Sequence, residues 1–213
     1  MLPITIQYFI DVLSQWCLIS DKALLSVRMR YGDRLPVRYR FVPISGRDPI
    51  YVDLAGQRTA YERSTFITGV KTIPWLQGEA RSTWQANVAV VAAEELGVDI
   101  ERARLAVSSA ALLEGVSLGE DGVASAFLAS RFGLDQVALD RAMESDAVQA
   151  RMHDDLSAFA RYGLTVRPSF VIENEIGDWT ILNGGHREAL ISEAVSSLLM
   201  DGTGYEWYAK HLG

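Results

Sequence analysis

Cysteine occurs once in the 213 residues, at Cys17. One cysteine cannot form an intramolecular disulfide or a thiolate metal cluster within the chain. Histidine is almost as scarce: His153, His186 and His211 are scattered, without metal-ligand spacing, so no metal is expected. Basic charge is also short. Lys plus Arg is 20 against 27 for Asp plus Glu, a net charge of −7, and no local basic patch offsets it. Such a chain repels phosphate backbones, so nucleic acid is not an expected partner. Nowhere do ~18 apolar residues run together, so no membrane span is expected. Residues 1–10 lack a basic stretch and a small-residue cleavage site, so no signal peptide is expected. A lone cysteine without a leader points to a reducing cytoplasm. No Gly-x-Ser-x-Gly elbow is present, which removes one class of serine hydrolase.

What is present reads as a folded protein. Hydrophobic residues make up 49% and charged residues 22%, ordinary for a globular chain and too apolar for disorder. The length suits one large domain, or a small one carrying an insertion.

The apolar, β-prone run Ile4, Thr5, Ile6, Tyr8, Phe9, Ile10 predicts a buried strand. From Gln15 to about Arg30 the apolar spacing turns helical, with Gly32 at the helix end. Residues 37–42 alternate and predict a second strand, parallel to the first if the crossover is right-handed. Residues 44–65 look irregular. From about 60 to 162 the pattern is almost wholly helical, with helices expected over 88–96, 106–113, 122–132, 134–143 and 146–162. After Gly163 strands return, at 168–173 and 179–182, with a turn between them and a helix from His186 to about Met200. The aromatic tail Tyr205-Glu206-Trp207-Tyr208 is expected to pack on the domain or on a partner subunit.

A βαβ half, a helical stretch and a ββα half make the thioredoxin arrangement. The expected fold is α/β, thioredoxin-like, with a mixed sheet and an all-helical insertion. Its expected limits are 1–65 and 163–213 for the thioredoxin-like domain and 66–162 for the insertion.

The segment Asp11-Val12-Leu13-Ser14-Gln15-Trp16-Cys17 carries a buried strand into a helix. Unpaired N–H groups at a helix start stabilise an anion, a thiolate included. Ser14 stands at that mouth and Cys17 one turn inside. The segment resembles the cytoplasmic branch of the DsbA family: FrnE-type oxidoreductases, 2-hydroxychromene-2-carboxylate isomerases and kappa-class glutathione transferases. FrnE-type members carry Asp, two apolar residues and Cys-Pro-Trp-Cys. Here Asp11, Val12, Leu13, Trp16, Cys17 and Ile19 match that frame, Ser14 replaces the first cysteine and Gln15 the proline. Glutathione-dependent members carry Ser-Pro-Tyr-Ser instead, so this chain is a hybrid.

Two further segments resemble the same family. Gly163 to Ile172 is similar to Gly-Val-Thr-Gly-Val-Pro-Thr-Phe-Val-Ile, in which the proline is cis and faces the active site. The resemblance implies that Pro168 is cis, with the Arg167 backbone offered as an edge to a thiol peptide. Val166 and Arg167 depart from the family residues; the Arg167 guanidinium would suit a glutathione carboxylate. Asn183-Gly184-Gly185-His186-Arg187 corresponds to the loop that opens the last helix and holds the glutamyl end of glutathione. Gly185 and His186 are its candidate contacts, and Trp16 is a candidate wall. The insertion matches less closely, through Gly115 and Gly133-Leu134-Asp135.

The resemblance implies thiol-dependent chemistry on a small-molecule substrate, and a possible homodimer. A dithiol cycle needs two cysteines, so Ser14 argues against a self-contained disulfide oxidase. In one mechanism glutathione is the co-substrate and Ser14, at the nucleophile position, hydrogen-bonds its thiolate. In the other Cys17 is a monothiol oxidoreductase. Bland readings stay open beside both. Ser14 caps a helix by chemistry alone, Cys17 is a small buried hydrophobe, and a chain without Cys-x-x-Cys can serve as a binding module.

Overall fold

The computed structural model describes residues 4–32, 35–46, 50–51, 54–74 and 80–212. The side chains of 50, 51, 54, 80, 81, 201–203, 205–209, 211 and 212 lie outside that description, and with them the packing of the Tyr205–Tyr208 tail.

Strand β1 (Ile4–Ile10) leads into helix α1 (Gln15–Tyr31) and strand β2 (Val37–Phe41). β1 and β2 pair in parallel, Tyr8 opposite Tyr39. On its other side β1 pairs antiparallel with β5 (Ser169–Asn174), which pairs antiparallel with β6 (Trp179–Asn183). The sheet is four-stranded and mixed, in the order β2-β1-β5-β6. As a central strand β1 is covered on both faces, which is why its apolar run is nearly continuous. Ile4, Ile6, Tyr8 and Ile10 join the main core. Phe9 points the other way, to Val171, Ala158 and Leu164. Helix α8 (Glu188–Leu212) packs beside α1 and against β1, β5 and β6.

Between β2 and β5 the chain is mainly helical. It runs through α2 (Leu54–Thr68), α3 (Trp84–Glu95), α4 (Ile100–Leu112), α5 (Val123–Phe132), α6 (Gln136–Met143) and α7 (Asp146–Arg161). Helix α3 is its centre, touching α4, α5, α6 and α7. Residues Ala86 to Ala93 are all buried there, as an Ala- and Val-rich helix without a polar face requires. Asp99, Asp135 and Ser145 cap α4, α6 and α7 by accepting first-turn N–H groups. Helix α7 ties this unit to β2. Asp155, fully buried, accepts the Phe41 N–H at 2.8 Å and Arg40 Nη1 at 3.0 Å.

Three expectations need correction. Residues 44–65 are not irregular: α2 begins at Leu54. Its buried positions include polar Ser64, and Phe66 is 91% exposed, so no apolar stripe marks it. A two-stranded pairing of Ile50–Tyr51 (β3) with Ala80–Arg81 (β4) interrupts the helical stretch. The last helix starts at Glu188, not His186, and runs on to Leu212.

Candidate active site

β1 delivers the chain to Asp11, whose buried carboxylate organises the turn into α1. Its Oδ1 accepts the Leu13 N–H at 2.8 Å and Asn87 Nδ2 at 3.1 Å, and its Oδ2 accepts the Ile44 N–H at 2.6 Å. Burial pushes the Asp11 carboxyl above its ordinary range, and these hydrogen bonds pull it back. Asn87, on α3, also accepts the Val12 N–H at 3.1 Å. The β1–α1 turn is therefore clamped to the helical insertion and to the chain after β2. Sequence reading placed Asp11 only as a frame residue and missed Asn87; a lone amide in an Ala/Val run was its signal.

Ser14 is the N-cap of α1, with φ −88° and ψ 120°, and its side chain makes no capping hydrogen bond. Its carbonyl accepts the N–H groups of Cys17 and Leu18, each at 3.1 Å. Its hydroxyl faces the Cys17 sulfur, as does the backbone of Asp11, and both favour the thiolate. Burial outweighs them and pushes the Cys17 thiol up to about 12. Cys17 is 3% exposed. Tyr8 stands beneath it and donates to its carbonyl at 3.0 Å. Expected as a catalytic residue, Cys17 is walled into the core beside Ser14.

Strand register brings the second and third segments to the same end of the sheet. Phe9 lies opposite Ser169 and Ser169 opposite Asn183, so Pro168 and Gly184 both flank the point where β1 exits toward Ser14. The Arg167–Pro168 bond is cis. The two loops are tied together: the Gly184 N–H donates to Ser169 Oγ at 3.2 Å, and Asn183 Nδ2 to Thr165 Oγ1 at 3.1 Å. Gly184 has φ +85°, and a Cβ there would meet Val166 at 3.2 Å. Ser20 on α1 donates to the Gly185 carbonyl at 3.1 Å. A Cβ on Gly185 would meet Leu182 at 3.1 Å, so the close approach at this glycine is to its own strand.

Arg167 differs from expectation. Its Nε donates to the Val42 carbonyl at 2.8 Å and its Nη2 to the Pro43 carbonyl at 3.2 Å, while the guanidinium stacks 4.6 Å from the Phe159 ring. The side chain expected to pair a ligand carboxylate instead fastens the cis-proline loop to the end of β2. Two acceptor carbonyls where β2 ends and an aromatic ring on α7 outcompete solvent for it.

Trp16 and His186 meet, ring centroids 5.0 Å apart and tilted by 55°. Below them a cavity of about 310 Å³ runs along the outer face of α1. Ile19, Ala23, Ile67 and Val70 supply apolar wall, Lys22 and Arg187 supply cations, and Glu188 supplies one anion. Among the described residues, no group of three or more His, Cys, Asp or Glu gathers as a metal site would require. Nor is any helix long and apolar enough to cross a membrane.

The sheet order, the helical insertion and a helix mouth facing a cis-proline define a thioredoxin-like protein. A family model for the DSBA-like thioredoxin domain matches residues 5–196, and the chain belongs to that family of thioredoxin-fold oxidoreductases and isomerases. A search of curated proteins finds no match. Among solved structures the chain is similar to a proposed protein disulfide isomerase from Nitrosomonas europaea: 17% identity, 99% of each chain covered, TM-score 0.72. It is similar to the cytosolic disulfide reductase DsbM from Pseudomonas aeruginosa, also solved with GSH. That likeness has 21% identity, covers 92% of this chain and 98% of DsbM, and gives a TM-score of 0.71. A 2-hydroxychromene-2-carboxylate isomerase is similar at 14% identity, with 94% and 98% coverage and a TM-score of 0.61.

Proposed function

We propose that this chain is a glutathione-dependent isomerase or transferase of small electrophiles, with Ser14 holding the sulfur of glutathione. The observation that carries the reading is the contrast between Ser14 and Cys17. The chain's own thiol is 3% exposed and keeps its proton at neutral pH. Burial therefore weighs against the Cys17 monothiol route. The Ser14 hydroxyl, also largely covered at 6% exposure, stands at the helix mouth and is not used to cap the helix. The chemistry needs a thiol, and an external one is the consistent source.

The residues suit that task. The Ser14 hydroxyl and the opening N–H groups of α1 favour a thiolate over a thiol. The cis-proline loop offers backbone to a peptide ligand. The cavity beside His186 is lined by Lys22 and Arg187, two cations that suit the carboxylates of a tripeptide. The glutathione thiol loses its proton to solvent, and the thiolate adds to an unsaturated carbon, forming a C–S bond. The resulting carbanion takes up a proton. After rotation, loss of that proton to solvent lets the electron pair re-form the double bond as the C–S bond breaks, which returns the thiolate and gives an isomer without net oxidation. Where a leaving group departs with its electron pair, the C–S bond stays and the product is a conjugate.

The test is ultraviolet difference spectroscopy of the thiolate band on adding glutathione at neutral pH. Wild type shows the band and Ser14→Ala lowers it about tenfold, the size of a lost charge-assisted hydrogen bond. Equal bands in the two proteins overturn the role of Ser14.

A further inference from the structure

One feature of the α1 mouth is foreign to the proline-containing frame. Gln15 stands where that frame has proline, and its side chain is buried, at 7% exposure. Both Ser64 Oγ on α2 and Thr72 Oγ1 on the segment after α2 donate to Gln15 Oε1, the latter at 3.1 Å. A proline ring has no atom to accept these bonds. Through one amide, the helix mouth grips two separate pieces of chain.

Those two pieces enclose a cavity of about 420 Å³, distinct from the one below Trp16 and His186. Arg58, Tyr61 and Thr65 line it from one face of α2, and Lys71, Thr72 and Pro74 from the facing segment. The Tyr61 ring and Pro74 supply apolar wall. Arg58 and Lys71 bring two cations to the lining against one anion, Glu62, and no ion pair engages either cation among the described residues. Tyr61 is buried, and Ser64, one turn on along α2, lies against both the Tyr61 carbonyl and the Gln15 amide beside Ser14.

We propose that this cavity is the subsite for the electrophilic partner of the thiol, a small ring or chain bearing one anionic group, and that Gln15 is its positioning residue. The inference rests on the glutathione reading for its chemistry, but binding at the subsite is separable from it. Gln15 fixes the distance between α2 and residues 71–74. The apolar body of the ligand lies against Tyr61 and Pro74, and its anion faces Lys71 and Arg58. Thr72, which lines the cavity, bonds the side chain of Gln15, and Gln15 follows Ser14 directly in the chain.

The test is calorimetric titration without glutathione, using cinnamate as the anionic probe and cinnamamide as its neutral twin. Wild type binds both, and cinnamate more tightly. Lys71→Gln, an exposed change, weakens cinnamate about fivefold, the scale of one surface charge pair, and leaves cinnamamide unchanged. Gln15→Leu weakens both probes about tenfold. Gln15→Glu keeps an acceptor oxygen at the same reach and restores cinnamamide, a rescue that generic damage to α1 would not show. No binding of either probe to wild type overturns the subsite, and so does cinnamate binding indifferent to Lys71→Gln. Failure of Gln15→Glu to rescue cinnamamide overturns the positioning role. Glutathione titrated separately tells the readings apart: its failure to bind while cinnamate binds sinks the glutathione reading and leaves the subsite standing.

Discussion

The rings of Trp16 and His186, 170 positions apart in the chain, lie 5.0 Å from centroid to centroid and close one side of the α1 mouth. Trp16 comes from the first turn of α1 and His186 from the loop before α8, so the contact joins the βαβ and ββα halves at the site. His186→Ala removes that wall and one edge of the cavity beside Lys22 and Arg187. We expect glutathione binding to weaken about fivefold to tenfold, the cost of one or two lost contacts. Calorimetric titration measures it. An unchanged dissociation constant would show that this face of α1 is not part of the glutathione site.

Cys17 gives a pH signature. Its thiol is held at about 12 in the folded chain, against an ordinary value of 9.0. Below 9.0 both states keep the proton, and the stability from burying a neutral thiol is fully present. Between 9.0 and about 12 the unfolded chain releases the proton and the folded chain does not. Stability then falls with rising pH, by up to about 1.4 kcal/mol per pH unit from this group. Cys17→Ala lacks the contribution, so the wild-type-minus-variant difference in unfolding free energy declines across that window. A flat difference would mean the thiol is not buried as described. In the same geometry, Ellman's reagent at neutral pH leaves Cys17 unmodified until denaturant is added.

Arg167 is structural through its side chain. Arg167→Leu removes two hydrogen bonds to the Val42 and Pro43 carbonyls and the stacking on Phe159. A loss of about 2 kcal/mol is expected, read from the urea midpoint. Arg167→Lys restores only part of it, because a point-charge ammonium cannot span two carbonyls and stack at once. Full restoration by lysine would contradict the two-carbonyl clasp.

These residues show what a sequence reader sees and what is hidden. β1, α1, β2 and β5 are legible because each buries apolar positions, β6 because its β-prone residues follow a turn signal, and their order alone points to the mixed sheet. Ser14 and Pro168 are legible because strand–helix and loop–strand junctions carry local signals. The β3–β4 pairing has two residues per strand, too few to show a period. α2 is hidden because it turns the Ser64 hydroxyl inward, onto Gln15 of α1, and leaves Phe66 outside, so no apolar stripe marks it. The Arg167 clasp and the Asp11–Asn87 clamp are long-range. Each joins positions more than 70 apart, and nothing near them in the chain announces the partner. For the same reason Cys17 reads as a candidate thiol: its position in the motif is local, while the burial that raises its pKa comes from the whole core.

The most direct measurement is a calorimetric titration of the reduced protein with glutathione, for wild type, Ser14→Ala and Cys17→Ser. Binding by wild type that survives Cys17→Ser and weakens about tenfold in Ser14→Ala is the predicted result. Binding lost in Cys17→Ser but kept in Ser14→Ala, or no binding by any of the three, would contradict an external thiol held at Ser14.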